Sequence, residues 1–117
     1  MRRRLLIRPG AIGDCILSLP ALEHLATDYT EVWISSPVVP LIQFADQVRA
    51  LALTGIDLVG VGDLEMPALL KTKLQSFDSI FSWYGANRPE FREALLTTGA
   101  ACEFHAALPP ADYKGHA

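Results

Sequence analysis

The sequence predicts an α/β protein, a Rossmann-like three-layer sandwich built on a mostly parallel sheet of about five strands. Three observations carry that expectation. Short apolar runs alternate along the chain with longer segments of helical spacing, the pattern of strands joined by helical crossovers. The first run, Leu5-Leu6-Ile7, has no polar face, as expected of a central parallel strand covered on both sides. That run leads directly into Arg8-Pro9-Gly10-Ala11-Ile12-Gly13-Asp14, a tight glycine-punctuated turn ending in a carboxylate.

The elements follow in order. Residues 4–8 read as the first strand, expected at the centre of the sheet. Residues 14–27 read as the first helix, with Ile16, Leu19, Leu22, Glu23 and Ala26 at helical spacing and Pro20 expected to kink its first turns. A helix starting at Ser18 as N-cap is the alternative. Residues 31–35 form strand two, 37–44 a short helix and 48–52 strand three. Residues 54–62 are apolar but interrupted by Gly55, Asp57, Gly60 and Gly62, and read as loop or irregular strand. Residues 67–75 are helical, 79–83 strand four, and 89–98 a helix with Pro89 in its first turn and Gly99 as a left-handed cap. Residues 101–104 form strand five, expected near an edge. The domain spans 1–107, and 108–117, with Pro109, Pro110 and Gly115, reads as a linker or frayed tail.

Composition narrows the class. A chain of 117 residues, 50% hydrophobic and 20% charged, has enough apolar material for one core and too much for disorder. A net charge of −3 argues against a nucleic-acid partner, which calls for a basic face. The two cysteines, Cys15 and Cys102, match no metal-ligand spacing and read as thiols of a reducing compartment. The three histidines are scattered, so neither a metal site nor a cofactor is expected. Met1-Arg2-Arg3-Arg4 followed by Leu5-Leu6-Ile7 imitates a signal peptide, but Arg8, Pro9 and Gly10 cut the apolar run short, and Asp14 before Cys15 is wrong for a cleavage site. The expectation is a cytoplasmic protein, or one peripheral at the inner face of the bacterial inner membrane.

The chemistry concentrates at the first turn. In an α/β sheet the loop after strand one lies at the carboxyl edge, where ligands bind. Gly10 and Gly13 carry no Cβ, so both read as positions where the backbone turns sharply or approaches a ligand. The amides of Gly10, Ala11, Ile12 and Gly13 could hold a diphosphate, although the run is neither a Walker A loop nor Gly-x-Gly-x-x-Gly. Asp14 has two compatible readings: a helix N-cap, and a general base that takes a proton from an attacking hydroxyl. Arg8 is either a solvated charge at a strand end or a clamp on an anionic group. After strand four, Ser82-Trp83-Tyr84-Gly85-Ala86-Asn87-Arg88 brings aromatic faces for a sugar ring at Trp83 and Tyr84, and hydrogen-bonding groups at Asn87 and Arg88. The competing reading makes Trp83 core and the rest a surface turn.

The run Ile7-Arg8-Pro9-Gly10-Ala11-Ile12-Gly13-Asp14, with Ser18-Leu19-Pro20-Ala21-Leu22, closely resembles the opening of the glycosyltransferase family nine enzymes, which include the ADP-heptose:lipopolysaccharide heptosyltransferases. The resemblance continues less tightly to about Gly99, through Val32 and Phe77-Asp78-Ser79-Ile80-Phe81. It implies the amino-terminal half of a GT-B fold, with the carboxyl-terminal nucleotide-sugar domain absent from this chain, which would then be a fragment or truncated form. It implies inverting transfer of a sugar from an ADP-heptose-like donor to a glycan or glycolipid acceptor, with Asp14 as base and no activity for these residues alone. Many family members have Asp-Leu-Gln-Gly where this chain has Ser82-Trp83-Tyr84-Gly85, and several carry hydroxyl residues in place of Pro9, Gly10 and Ala11. Those departures point to an altered acceptor pocket and to donor contacts through the backbone. A stand-alone sugar- or nucleotide-binding module is the alternative. A dinucleotide-dependent dehydrogenase is disfavoured, because Ser35 and Ser36, not an acidic residue, end strand two.

Overall fold

The computed structural model describes residues 2–56, 68–86 and 88–105. Five strands, β1 (Arg3–Arg8), β2 (Tyr29–Ile34), β3 (Gln47–Ala50), β4 (Ser79–Ser82) and β5 (Ala101–Phe104), form one all-parallel sheet in the order β3-β2-β1-β4-β5. β1 is central and β5 is an edge, as expected. Among the described residues three α-helices accompany the sheet: α1 (Ile12–His24), α2 (Ala68–Gln75) and α3 (Pro89–Leu96). The chain winds outward from β1 to β3, then returns past β1 to β4. The order of strands therefore reverses between β1 and β4.

Alternation along each strand builds two cores. Leu5 and Ile7 of β1, Trp33 of β2 and Ile80 of β4 face α2 and α3, where they meet Leu70, Leu74, Phe91 and Leu95. Leu6, Val32 and Ile34 face the opposite way, onto Cys15 and Leu22 of α1 and onto Val38 and Ile42. Helices thus cover both faces, and the three-layer sandwich stands. Among the described residues no helix is long and apolar enough to cross a membrane.

Several boundaries differ from expectation for identifiable reasons. α1 begins at Ile12, two residues early, and continues through Pro20, so the helix beginning at Ser18 is set aside; the Ser18 hydroxyl instead donates back to the Cys15 carbonyl at 2.7 Å. Ile16 is 41% exposed and lies off the core face. The expected short helix at 37–44 is a 3-10 helix, Ser36–Leu41, because Pro37 and Pro40 cannot donate the α-helical hydrogen bonds. Strand three stops at Ala50, where Leu51–Leu53 turns into a 3-10 helix whose Leu51 carbonyl accepts from the Thr54 amide and hydroxyl. Gly99 adopts φ +90° after α3, as a left-handed cap does. The rest of the loop after residue 56, Pro67 and the tail at 108–117 lie outside the described residues.

An aspartate stands immediately before each of β2, β3 and β4. Asp28 accepts the Arg2 amide at 2.9 Å, Asp46 the Thr30 amide at 2.7 Å, and Asp78 the Arg3 amide at 2.7 Å. In return, the backbone amides of Asp46 and Asp78 donate to the Thr30 and Arg3 carbonyls. These bonds secure the amino edge of the sheet and, with it, the register of each parallel pair.

Deeper in the sheet, Glu31 is fully buried on β2. Its Oε1 accepts from Lys73 Nζ at 2.9 Å and from the Tyr29 hydroxyl at 3.3 Å. Its Oε2 accepts from Trp33 Nε1 at 2.7 Å and from Arg49 Nε at 3.0 Å. Burial pushes the Glu31 carboxyl up, but the hydrogen bonds from Trp33 and Lys73, the Lys73 charge and the bond from Arg49 outweigh it and hold the group below its ordinary value of 4.5. Burial, and after it the same carboxylate, raises the Tyr29 phenol.

As acid is added, the unfolded chain therefore takes up a proton at Glu31 before the folded one does. The stabilisation is complete above about pH 4.5 and is lost as pH falls through the lower folded value. Glu31→Gln should cost about 1.5–3 kcal/mol near neutral pH, the range for hydrogen bonds to a charged group. Urea unfolding of both proteins should show that gap narrowing once the pH is well below 4.5; a gap independent of pH would mean that the charge is not what stabilises.

Candidate functional site

The carboxyl edge of the sheet gathers the loops that follow β1, β2, β3 and β4. The turn after β1 is short: Arg8 ends the strand, Ala11 is the N-cap of α1, and Pro9 and Gly10 lie between. Gly10 takes φ +116°, so here glycine is required. Gly13 is not part of the turn. It lies inside α1 without positive φ, and a Cβ there would meet nothing within 4 Å, which corrects the expectation that both glycines shape the loop.

The carbonyls of this turn are held from beneath. The buried Cys15 thiol lies 3.8 Å from the Arg8 carbonyl and 3.7 Å from those of Pro9 and Gly10. Ser35, just past β2, donates its hydroxyl to the Gly10 carbonyl at 2.8 Å. Ser35 therefore has a role that the sequence reading missed; its place at the end of strand two was the available signal.

Asp14 is not the N-cap. That position belongs to Ala11, with no side-chain capping bond, and Asp14 lies one turn in, within the first turn of α1. Two extra helical residues at the start displace it from the cap. The carboxylate is partly exposed and accepts no side-chain hydrogen bond and makes no ion pair among the described residues. Ile12 opens α1 and is 48% exposed, so the loop presents Gly10, Ala11, Ile12 and Gly13 to solvent.

Arg8 is not a solvated strand-end charge. It is only 5% exposed, and its Nη1 donates to the Pro9 carbonyl at 2.6 Å.

The loop after β4 separates the two aromatic candidates. Trp83 sits on the α1 side, against that core, with its ring stacked on His105 at 5.0 Å between centroids and an interplanar angle of 23°. His105 in turn holds Glu103 at 3.0 Å through Nε2. Tyr84 sits on the α2 and α3 side, edge-on to Phe91 at 5.2 Å. The two rings pack into different cores, so they do not form a single platform. Tyr84 instead lines a cleft of ≈370 Å³ with Ser35, Ser36, Leu51, Ala52 and Ile56, across the carboxyl ends of β2, β3 and β4. Arg88 is the N-cap residue of α3, its amide donating to the Gly85 carbonyl, with its guanidinium 5.7 Å from the Phe91 ring centre. Asn87 lies outside the described residues.

Ser82 sets this loop's course: fully buried, it donates its hydroxyl to the Tyr84 carbonyl at 2.8 Å and accepts the Tyr84 amide at 3.1 Å. The site is thus two loops flanking the point where strand order reverses, one carrying Asp14 and Arg8, the other Tyr84 and the cleft. Comparison of the chain with family models, with characterised proteins and with solved structures gives no match.

Gly85 is the second constrained turn. It has φ +69°, and a Cβ there would meet the Phe91 ring, 2.7 Å from Cγ and 2.9 Å from Cε2. Gly85→Ala should destabilise the fold by about 2–4 kcal/mol, summing backbone strain and overpacking against a fully buried ring. Denaturant unfolding measures it; a loss under roughly 0.5 kcal/mol, the scale of an ordinary surface change, would contradict this account.

Proposed function

We propose that this chain is the acceptor-side half of an inverting glycosyltransferase, moving a sugar from an ADP-sugar to a lipopolysaccharide-type glycan acceptor. The observation that carries the reading is the position of Asp14. Its carboxylate stands at the first turn of the helix after the central strand, beside the strand-order reversal, and no side chain among the described residues engages it. A carboxylate kept there without a structural partner suits a group whose partner is a substrate. The resemblance of the run from Ile7 to Asp14, and of Ser18 to Leu22, to family nine glycosyltransferases supports the same assignment.

In this reading an acceptor hydroxyl lies against Asp14, which takes its proton as the oxygen attacks the anomeric carbon. The bond from that carbon to the donor diphosphate breaks, and the diphosphate leaves with the electron pair. The first-turn amides of α1 partly offset the developing negative charge. The remaining contacts to the nucleotide-sugar come from a carboxyl-terminal half. The cleft lined by Tyr84, Ser35 and Ser36 offers an apolar wall with hydroxyls at its rim, which fits the faces and edges of a sugar acceptor. Such a protein works at the cytoplasmic face of the inner membrane, where a glycolipid acceptor is presented.

In a protein joining this chain to its carboxyl-terminal half, Asp14→Asn should lower kcat by about 10²–10⁴, the usual cost of losing a general base. Because Asp14 makes no capping bond, both Asp14→Asn and Asp14→Ala should leave folding stability within about 1 kcal/mol of wild type, the size of the helix-dipole contribution. Turnover of an ADP-sugar followed by product release gives the rate, and thermal unfolding gives the stability. Near-normal turnover in Asp14→Asn would remove the base from this half.

A further inference from the structure

We propose that the turn between β1 and α1 is a binding site for a phosphate-type oxyanion, with Arg8 as its cation. Arg8 is 5% exposed, and among the described residues its side chain makes a single hydrogen bond, to the Pro9 carbonyl, and no ion pair. A guanidinium has five N–H donors and a full charge, and one neutral carbonyl does not offset its removal from water.

The other arginines of the central strand are treated differently. Arg3 donates to the Ser76 carbonyl and lies 4.2 Å over the Tyr29 ring. Arg4 donates to Ser79 and to the Leu25 carbonyl and lies 4.4 Å over Phe81. Arg8 is more buried than either and has fewer partners.

Its surroundings supply what an anion needs. Arg8 Nη1 lies beside Pro9 and Gly10, which lead directly into α1, a helix of 13 residues whose first intrahelical amide bond is Cys15 to Ala11. The amides of Ile12, Gly13 and Asp14 therefore have no acceptor within the helix and carry its positive end. The Gly10 carbonyl is engaged by the Ser35 hydroxyl and the Pro9 carbonyl by Arg8 itself, while the single Cys15 thiol lies 3.7–3.8 Å from all three carbonyls of the turn. Gly10 has no side chain where a Cβ would stand 3.4 Å from Arg8 Nη1. Asp14 is the opposing charge at this turn and weakens the site.

The site stands on Arg8 and does not depend on the transferase reading. If that reading holds, the oxyanion is either the donor diphosphate or a phosphate on the acceptor. Titration of the 117-residue protein with inorganic pyrophosphate at constant ionic strength, followed by calorimetry and amide chemical shifts, tests it. Wild type should bind saturably, with shifts concentrated at residues 9–14. Arg8→Met should lose affinity by roughly tenfold or more, as expected for a charge-assisted contact, yet be as stable as wild type without the anion. Arg8→Lys should fold and bind more weakly than wild type, because a point charge lacks the guanidinium fork. Asp14→Asn should bind at least as tightly, so loss of the catalytic proposal at Asp14 and loss of this one are separate results. ADP binding more tightly than a hexose phosphate assigns the site to the donor, and the reverse order to the acceptor; either result supports it. No saturable binding by wild type, or unchanged affinity in Arg8→Met or Arg8→Lys, would overturn the proposal.

Discussion

Glu31 is an ion with no exposed surface, and four donors converge on its two oxygens. They come from β2 itself, from β3 through Arg49 and from α2 through Lys73, so one carboxylate fastens the outer strand and a crossover helix to the middle of the sheet. Desolvating a carboxylate is costly, and only a full complement of hydrogen bonds makes it tolerable. Lys73 and Arg49 remain partly in water and therefore give up less of their own hydration than Glu31 does. The arrangement is directional as apolar packing is not: Leu70 and Leu74 would accept a small slide of α2 along the sheet, whereas a 2.9 Å contact to Oε1 does not.

The two edges of the sheet are built on opposite plans. At the amino edge, Asp28, Asp46 and Asp78 saturate backbone amides and fix where each strand begins. At the carboxyl edge, the loops hold themselves through carbonyls and hydroxyls, with Cys15, Ser35 and Ser82 beneath them, and among the described residues Asp14 has no side-chain partner and Arg8 has one neutral carbonyl. Arg8 and Asp14 flank the same turn, carry opposite charge and do not pair with each other. The positive-φ glycines Gly10 and Gly85 sit in the two loops on either side of the strand-order reversal, where a residue without a Cβ lets the backbone turn sharply.

Much of the fold was legible in local patterning. Alternating apolar runs and helical segments define the five strands and their parallel sense, because each crossover is long enough to hold a helix and too long for a hairpin. The unbroken apolar stretch Leu5-Leu6-Ile7 places β1 at the centre, since only a strand covered on both faces tolerates it. Gly99 marks the end of α3, and the turn at Gly10 marks the start of α1 to within two residues of Asp14. These are consequences of backbone sterics and of period, which neighbouring residues decide among themselves.

Tertiary structure decided what each side chain meets. α1 is apolar on most of its circumference, so its period could not choose a face, and the fold buries Cys15 and Leu22 while leaving Ile16 and Leu17 exposed. Trp83 and Tyr84 read as one aromatic pair, yet the turn after β4, held by Ser82, sends them to opposite layers. Glu31 looks like an ordinary polar start to a strand until Lys73, far along the chain, is brought beneath it. Arg8 looks like a charge at a strand end until the layers close over it. Residue type and spacing determine the elements, because those depend on near neighbours; burial and pairing depend on strand order and register, which bring together residues that no local pattern connects.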